Sequence, residues 1–333
     1  MTITERINSF EQLGEALSAL TSGEKQSLYF SAESKNNWFN ESSIESALAG
    51  IIKFLDRETL STWAAQYEIS ESFSDKKIGL VMAGNIPMVG FHDLLCVLMA
   101  GHIALTKLSS QDEVLIKFLI SMLRQISPEF ADRVVFAERL NDADAFVATG
   151  SDNTARYFHY YFGKKDHIIR KNRSSVAVID GAETEEELKA LGIDIFTYWG
   201  LGCRNVSKVL VPEGYDFIPL LDALAPYEYV ADHHKYNNNY DYNKSILLVN
   251  RVPHLDTGFL LVQESENLVS PISVLFYQTY KDQNDLEAYL KAQEDKIQCI
   301  VGHDRIPFGG AQYPSINDYA DGVDTMQFLT GLQ

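Results

Sequence analysis

Cysteine is scarce in this chain, cations are outnumbered, and no long apolar run or tandem repeat occurs. Three cysteines, Cys96, Cys203 and Cys299, stand in 333 residues. They form no CxxC pair, no Cys/His zinc spacing and no disulfide framework. Lysine and arginine number 28 against 46 aspartates and glutamates, a formal net charge of -18. That field repels nucleic acid and anionic membranes, so neither is an expected partner, while a local basic pocket for a phosphate-bearing ligand stays compatible with it. No apolar stretch reaches the roughly 20 residues that cross a bilayer, and residues 1–12 lack the apolar core of a secretory leader. A reducing, cytoplasmic setting is the expectation. A G-x-G-x-x-G fingerprint is also missing. What remains is 46% hydrophobic and 22% charged residues, ordinary for a folded chain and enough for two domains.

Residues 9–69 read as helical, with Ser9-Phe10-Glu11-Gln12 as a capping box and Ile44, Leu48, Ile51, Ile52 and Leu55 on one face. From Lys77 short apolar strands alternate with helices: strands 78–82, 103–107, 134–136, 145–148 and 176–179, and helices 91–100, 114–126 and 153–162. The alternation predicts a parallel α/β sheet. A second series follows, with helices 184–198, 217–224 and 286–292 and strands 206–211, 245–249, 258–262, 273–277 and 297–301. The fold class is α/β, two α/β domains meeting near Asp180. Within the second series lies the polar, aromatic-rich stretch Asp232-His233-His234-Lys235-Tyr236-Asn237-Asn238-Asn239-Tyr240, read as a surface or substrate-side loop. Adjacent histidines do not converge on one ion easily and no third ligand is evident, so no metal is expected.

Cys203 is the cysteine that needs an explanation. It sits in Gly200-Leu201-Gly202-Cys203-Arg204-Asn205-Val206, ahead of a β-branched strand, where a thiol can face a cleft. The same position suits a small buried residue in a tight turn, and the motif alone does not choose between them. Three strand exits share a character. Gly84-Asn85 follows the first strand, and Asn85 can donate a side-chain N–H to an oxyanion. Lys107 ends the second strand, placed for a ribose or phosphate. Thr149-Gly150-Ser151 opens a helix suited to a pyrophosphate.

Taken in order, Asn85-Ile86-Pro87, Ala100-Gly101 with Lys107 beyond, Thr149-Gly150-Ser151, Gly202-Cys203 and Pro307-Phe308-Gly309-Gly310 resemble the motifs of the aldehyde dehydrogenase superfamily. Within it the chain is similar to the LuxC-type acyl-CoA reductases, the fatty-acid reductase component of bacterial luminescence. Arg173-Ser174-Ser175 and the Trp38-Phe39 to Trp63 lead-in support the narrower likeness, which spans roughly Asn37 to Gly310.

The resemblance implies an aldehyde-dehydrogenase-like fold. Residues 1–180 would be a Rossmann-like nucleotide-binding domain, 181–305 a catalytic domain carrying Cys203, and 306–333 a segment returning to the first. It implies Cys203 as nucleophile, Asn85 with the Cys203 N–H as oxyanion donors, and Lys107 with Thr149, Gly150 and Ser151 holding a nicotinamide dinucleotide. Aligning Lys-Ser-Pro of the hydrolytic members with Arg173-Ser174-Ser175 puts their water-activating Glu at Ile169, which cannot act as a base. An acyl group would then pass to a thiol or to hydride, which favours a reductase. The Glu that bonds the adenine ribose in NAD-preferring members is here Ser110, which does not repel a 2′-phosphate, so NADPH is the expected reductant. The Glu holding the nicotinamide ribose is replaced within Asn267-Leu268-Val269-Ser270-Pro271, with Glu266 one residue off. The implied substrate is an acyl-CoA or other acyl thioester, with an acyl-carrier or acyltransferase protein as a partner. Two rivals remain: an acyl-phosphate reductase, and an inactive nucleotide- or partner-binding module of this fold. With no room for an arm hairpin between Tyr67 and Lys77, a monomer or a less extensive dimer is expected.

Overall fold

In the computed structural model of the chain, residues 1–150 and 152–332 are described. They fall into two compact units, Met1–Asn172 with Ser315–Gln333, and Arg173–Pro314. The first begins with α1 (Ile3–Ser18), α2 (Ser22–Lys35), α3 (Glu41–Phe54) and α4 (Arg57–Ala64). The capping box of α1 is Thr2 with Glu5, not Ser9 as the sequence suggested: the Thr2 hydroxyl accepts the Glu5 N–H at 3.3 Å, and the Glu5 carboxylate accepts the Thr2 N–H at 2.7 Å. Ser9 lies one turn further on, its hydroxyl donating to the Glu5 carbonyl. In α3 the expected stripe is inward, with Ile44, Leu48 and Ile51 buried.

Then β1 (Lys77–Val81), α5 (Phe91–Met99), β2 (Ile103–Lys107), α6 (Glu113–Ile126), β3 (Val134–Phe136), β4 (Ala145–Thr149), α7 (Asp152–Phe162) and β5 (His167–Arg170) build a parallel sheet in the order β3-β2-β1-β4-β5. Apolar side chains fill β1 and β4 on both faces, as a helix-covered parallel sheet requires. Strand β5 escaped the sequence reading because its four residues include His167 and Arg170. Arg170 is buried, and its guanidinium is paired with Asp93 of α5 at 2.5 Å.

The second unit holds β6 (Ser174–Val178), α8 (Glu185–Phe196), β7 (Val206–Pro212), α9 (Ile218–Leu224), α10 (His234–Val249), β8 (Leu255–Asp256), β9 (Leu261–Glu264), β10 (Val274–Tyr280), α11 (Gln283–Ala292) and β11 (Ile297–Val301). Its sheet runs β11-β6-β7-β10-β9-β8, parallel except for the short edge strand β8. Three expectations are corrected here. The domain boundary near 180 moves to Arg173, because β6 pairs with β7 and β11 and so belongs to the second sheet. The polar stretch 232–240 is not a loop and 245–249 not a strand. They lie on α10 and the short 3₁₀ turn before it. His233 caps α10, its Nδ1 accepting the Tyr236 N–H at 3.4 Å, and Tyr236, Tyr240, Asn243 and Leu247 turn inward at helical spacing. That inward face outweighs the weak helix propensity of three consecutive asparagines.

The returning segment starts at Ser315, not at 306. It carries α12 (Thr325–Thr330) and docks on the first unit by burying Ile316, Met326 and Leu329 in its core and through polar contacts. The Trp63 indole donates to the Tyr319 hydroxyl at 2.7 Å, Tyr67 bridges Tyr319 and Asp324, and Arg170 donates to the Thr325 hydroxyl.

Candidate active site

In the first sheet the strand order reverses between β1 and β4, where open α/β sheets bind ligands beyond the strands' carboxyl ends. Val81 stands level with Lys107 on one side and Ala148 on the other, so the three exits singled out in the sequence open on one edge. Asn85 is exposed in the turn after β1. Lys107 and Ser110 are exposed after β2, and Thr149 and Gly150 are half-buried after β4. Ser151 lies outside the described residues. Gly84 has no space for a side chain: a Cβ there would meet the Ser109 hydroxyl at 2.5 Å. A Cβ on Gly150 would meet Phe158 and Thr154 at 2.9–3.0 Å. At both exits glycine is therefore required by the protein's own packing, against Ser109 at Gly84 and against Phe158 and Thr154 at Gly150.

One residue of this edge was not foreseen. Asp112 is 3% exposed, and its Oδ2 accepts the Met88 N–H at 2.6 Å, across the turn that carries Asn85. Its Oδ1 has no hydrogen-bond partner among the described residues, and burial pushes its carboxyl up to about 8. Met88 has φ +56°, so this contact stabilises a turn in the left-handed region.

Cys203 belongs to the second unit, in the loop between α8 and β7. No helix begins at it. The chain enters β7 at Val206, so a helix N-terminus is not available to favour its thiolate. It is half-buried, whereas Cys96 and Cys299 are buried. Burial, with Asp93 adding, drives the Cys96 thiol well above its ordinary range. Ahead of the loop, Tyr198, Trp199 and Gly200 have φ of +53°, +60° and +77°. Two non-glycine residues there cost about 1–2 kcal/mol each. Packing holds them, since Trp199 is buried with its ring 4.3 Å from His233.

Asn205 knits the loop together. Its Oδ1 accepts the Gly202 N–H at 2.8 Å, and its Nδ2 donates to the carbonyls of Asp194, Ile195 and Thr197 at 3.0, 3.2 and 2.7 Å. The orphan carbonyls at the end of α8 are satisfied by a residue two positions after the cysteine. Asp194, fully buried on α8, accepts the backbone N–H groups of Gly309 and Ala311 at 2.6 and 2.8 Å, and burial raises its carboxyl to about 6. Arg204 donates Nε to the Ala311 carbonyl at 2.5 Å. The Pro307-Phe308-Gly309-Gly310 motif is therefore fastened to the helix that leads to Cys203, and residues 306–314 stay with the second unit. The 266–268 segment is tied to β7, Lys208 Nζ donating to the Glu266 carbonyl at 3.3 Å and Ser207 to the Leu268 carbonyl at 2.9 Å. Asp180, Glu183 and His303 bring ligand-type atoms within 4.8 Å of one another on the exposed surface. His303 Nδ1 is 2.8 Å from Asp180, and Glu183 accepts the Asp180 and Gly181 N–H groups.

The model of one family, described as acyl-CoA reductase (LuxC), matches residues 10–218. The chain belongs to that family. No curated protein matches the sequence. Among solved structures, this acyl-CoA reductase family member resembles a putative aldehyde dehydrogenase from Burkholderia cenocepacia (14% identity, 88% of this chain and 73% of that one, TM-score 0.64). It also resembles an aldehyde dehydrogenase from Bacillus cereus in its NAD+ complex (13%, 90% and 72%, 0.64), and aldehyde dehydrogenase 21 from Physcomitrella patens with the product succinate (14%, 91% and 74%, 0.64). The fold is that of the aldehyde dehydrogenases, and the family is one of oxidoreductases acting on acyl and aldehyde groups.

Proposed function

We propose that this protein reduces an acyl thioester, acyl-CoA, to the aldehyde through an acyl-enzyme on Cys203, with NADPH as reductant. The observation that carries the reading is Cys203 itself: the one half-buried thiol of the three, in a rigid loop at the mouth of β7, in a chain whose family reduces acyl-CoA. The ionised sulfur attacks the thioester carbonyl, and collapse of the tetrahedral adduct expels the CoA thiolate, which takes up a proton. Asn85 and the Cys203 N–H stabilise the oxyanion at both tetrahedral stages, each such donor typically contributing on the order of 10²–10³ in rate.

Ile169 occupies the place of the superfamily's water-activating Glu, and its aliphatic side chain leaves the acyl-enzyme without a general base for hydrolysis. Lys107 is assigned to the phosphate-bearing ribose, Ser110 to tolerance of the 2′-phosphate, and Thr149, Gly150 and Ser151 to the pyrophosphate. When bound, NADPH supplies the hydride for the acyl carbon, so that acyl-CoA, NADPH and a proton give aldehyde, CoA and NADP+.

Intact mass tests the reading. Incubation with a long-chain acyl-CoA is expected to add one acyl group on Cys203, and NADPH to discharge it. Cys203→Ala is expected to abolish the adduct, while Cys96→Ala and Cys299→Ala retain it. An adduct that survives in Cys203→Ala overturns the assignment. An adduct formed only from an acyl phosphate changes the donor and leaves the thiol chemistry standing.

A further inference from the structure

Resting on Cys203 as the nucleophile, we propose that Ser175 and Asn205 are positioning residues that clamp the cysteine's backbone from both sides and so aim its N–H at the oxyanion. The Gly202 carbonyl accepts the Asn205 N–H at 3.1 Å, and the Gly202 N–H is bound by the Asn205 side chain. In a trans peptide the C=O and the following N–H point in opposite directions, so fixing the Gly202 carbonyl also fixes the direction of the Cys203 N–H. On the other side, the Cys203 carbonyl accepts the Ser175 hydroxyl at 3.0 Å. With both flanking peptide planes held, φ and ψ of Cys203 are set by neighbours 28 residues upstream and two downstream.

Ser175 is fully buried on β6, and its hydroxyl has one hydrogen to give. The Cys299 backbone N–H donates to Ser175 Oγ at 3.2 Å, and the Cys299 Sγ lies 3.0 Å from it. Since the Ser175 hydrogen goes to Cys203, Cys299 stands as the donor in that contact too. Both lone pairs of the serine are then taken by one residue of β11. The Ser175 hydroxyl cannot turn away, and the second thiol orients the clamp without reacting.

The clamp acts on direction, so it separates two reactions of the same sulfur. Acylation needs the oxyanion donor, whereas alkylation by iodoacetamide needs only an accessible thiolate. On the full-length protein, both rates on Cys203 are followed by intact mass and peptide mapping for wild type, Ser175→Ala and Ser175→Thr. Ser175→Ala is expected to slow acylation by a long-chain acyl-CoA about tenfold at saturation, the size of one lost hydrogen bond. The half-saturating concentration and the alkylation rate are expected to stay within twofold. Ser175→Thr keeps the hydroxyl and is expected to restore acylation to within about threefold. If Ser175→Ala does not fold, Ser175→Cys keeps the branching and leaves only a weak donor, and is expected to lose about threefold. Acylation unchanged on removal of the hydroxyl, or both reactions slowed in parallel, overturns the clamp alone. No acyl adduct on the wild-type protein overturns the nucleophile, and the clamp's role in catalysis falls with it.

Discussion

Asp112 makes the stability of this protein depend on pH in a direction opposite to that of most carboxylates. Its carboxyl is raised from 3.8 to about 8 by burial, only partly opposed by the Met88 N–H. The folded state therefore holds a proton that the unfolded chain has already released, and stability contributed by this group is lost as pH rises from about 4 to about 8. Each pH unit inside that window costs about 1.4 kcal/mol. From pH 6 to pH 8, allowing for half-titration at the upper end, the loss is about 2 kcal/mol.

Asp112→Asn removes the charge and keeps the acceptor for Met88. Urea unfolding of wild type and variant at pH 6, 7 and 8 isolates the contribution, because every other titrating group cancels in the difference. The variant is expected to gain on wild type by about 2 kcal/mol between pH 6 and pH 8. A difference that stays constant within about 0.5 kcal/mol, the resolution of such comparisons, refutes the buried-proton argument. Because the Met88 contact is kept, the variant is also expected to form the acyl adduct on Cys203 at the wild-type rate at pH 7.

Two further outcomes follow from local geometry. Gly309 has φ +82° and a Cβ there would lie 3.2 Å from the Ala190 Cβ, whereas Gly214 has φ +78° with nothing within 4 Å. Gly309→Ala is therefore expected to cost roughly 1 kcal/mol more than Gly214→Ala in urea unfolding, and equal costs would show that the close approach to α8 does not matter. Ser110 is exposed, so Ser110→Glu leaves the fold intact while placing a carboxylate near the position assigned to the 2′-phosphate. The ratio of kcat/KM for NADPH over NADH is expected to fall about tenfold or more, and an unchanged ratio removes Ser110 from cofactor choice.

The α/β class and most elements were legible because parallel strands must be apolar on both faces. Runs such as Ile78-Gly79-Leu80-Val81 and Ala145-Phe146-Val147-Ala148 have few other readings. Strand β5 and helix α10 were not. In β5 a buried arginine interrupts the apolar pattern, and its partner Asp93 is 77 residues away. In α10 the asparagines signal a turn, while the tyrosines that decide the matter pay off only when packed. The boundary was set near Asp180 for a related reason, since the apolar strand 176–179 looks like those before it and only its pairing with β7 and β11 assigns it to the second sheet.

The same limit applies to the residues that hold the motifs. Asn85-Ile86-Pro87 and Pro307-Phe308-Gly309-Gly310 were visible as short strings, but neither keeps its own shape. Each is held by a buried carboxylate remote in sequence, Asp112 for the first and Asp194 for the second, accepting backbone N–H groups. A faint signal existed for Asp194, an acid amid the apolar run Leu191 to Phe196. None existed for Asp112, which stands at the N-terminus of α6 and yet makes no capping bond there. Burial raises both carboxyls, and they differ in how far N–H groups and a cation oppose it. Asp194, with two backbone donors and Arg204 nearby, titrates at about 6 and is ionised at pH 7. Asp112, with one donor, titrates at about 8 and is still protonated there. A chain with so large an excess of acids thus uses two of them as internal fasteners, and both change charge between pH 6 and pH 8: Asp194 enters that window half-ionised and leaves it ionised, while Asp112 enters it protonated and leaves it half-ionised.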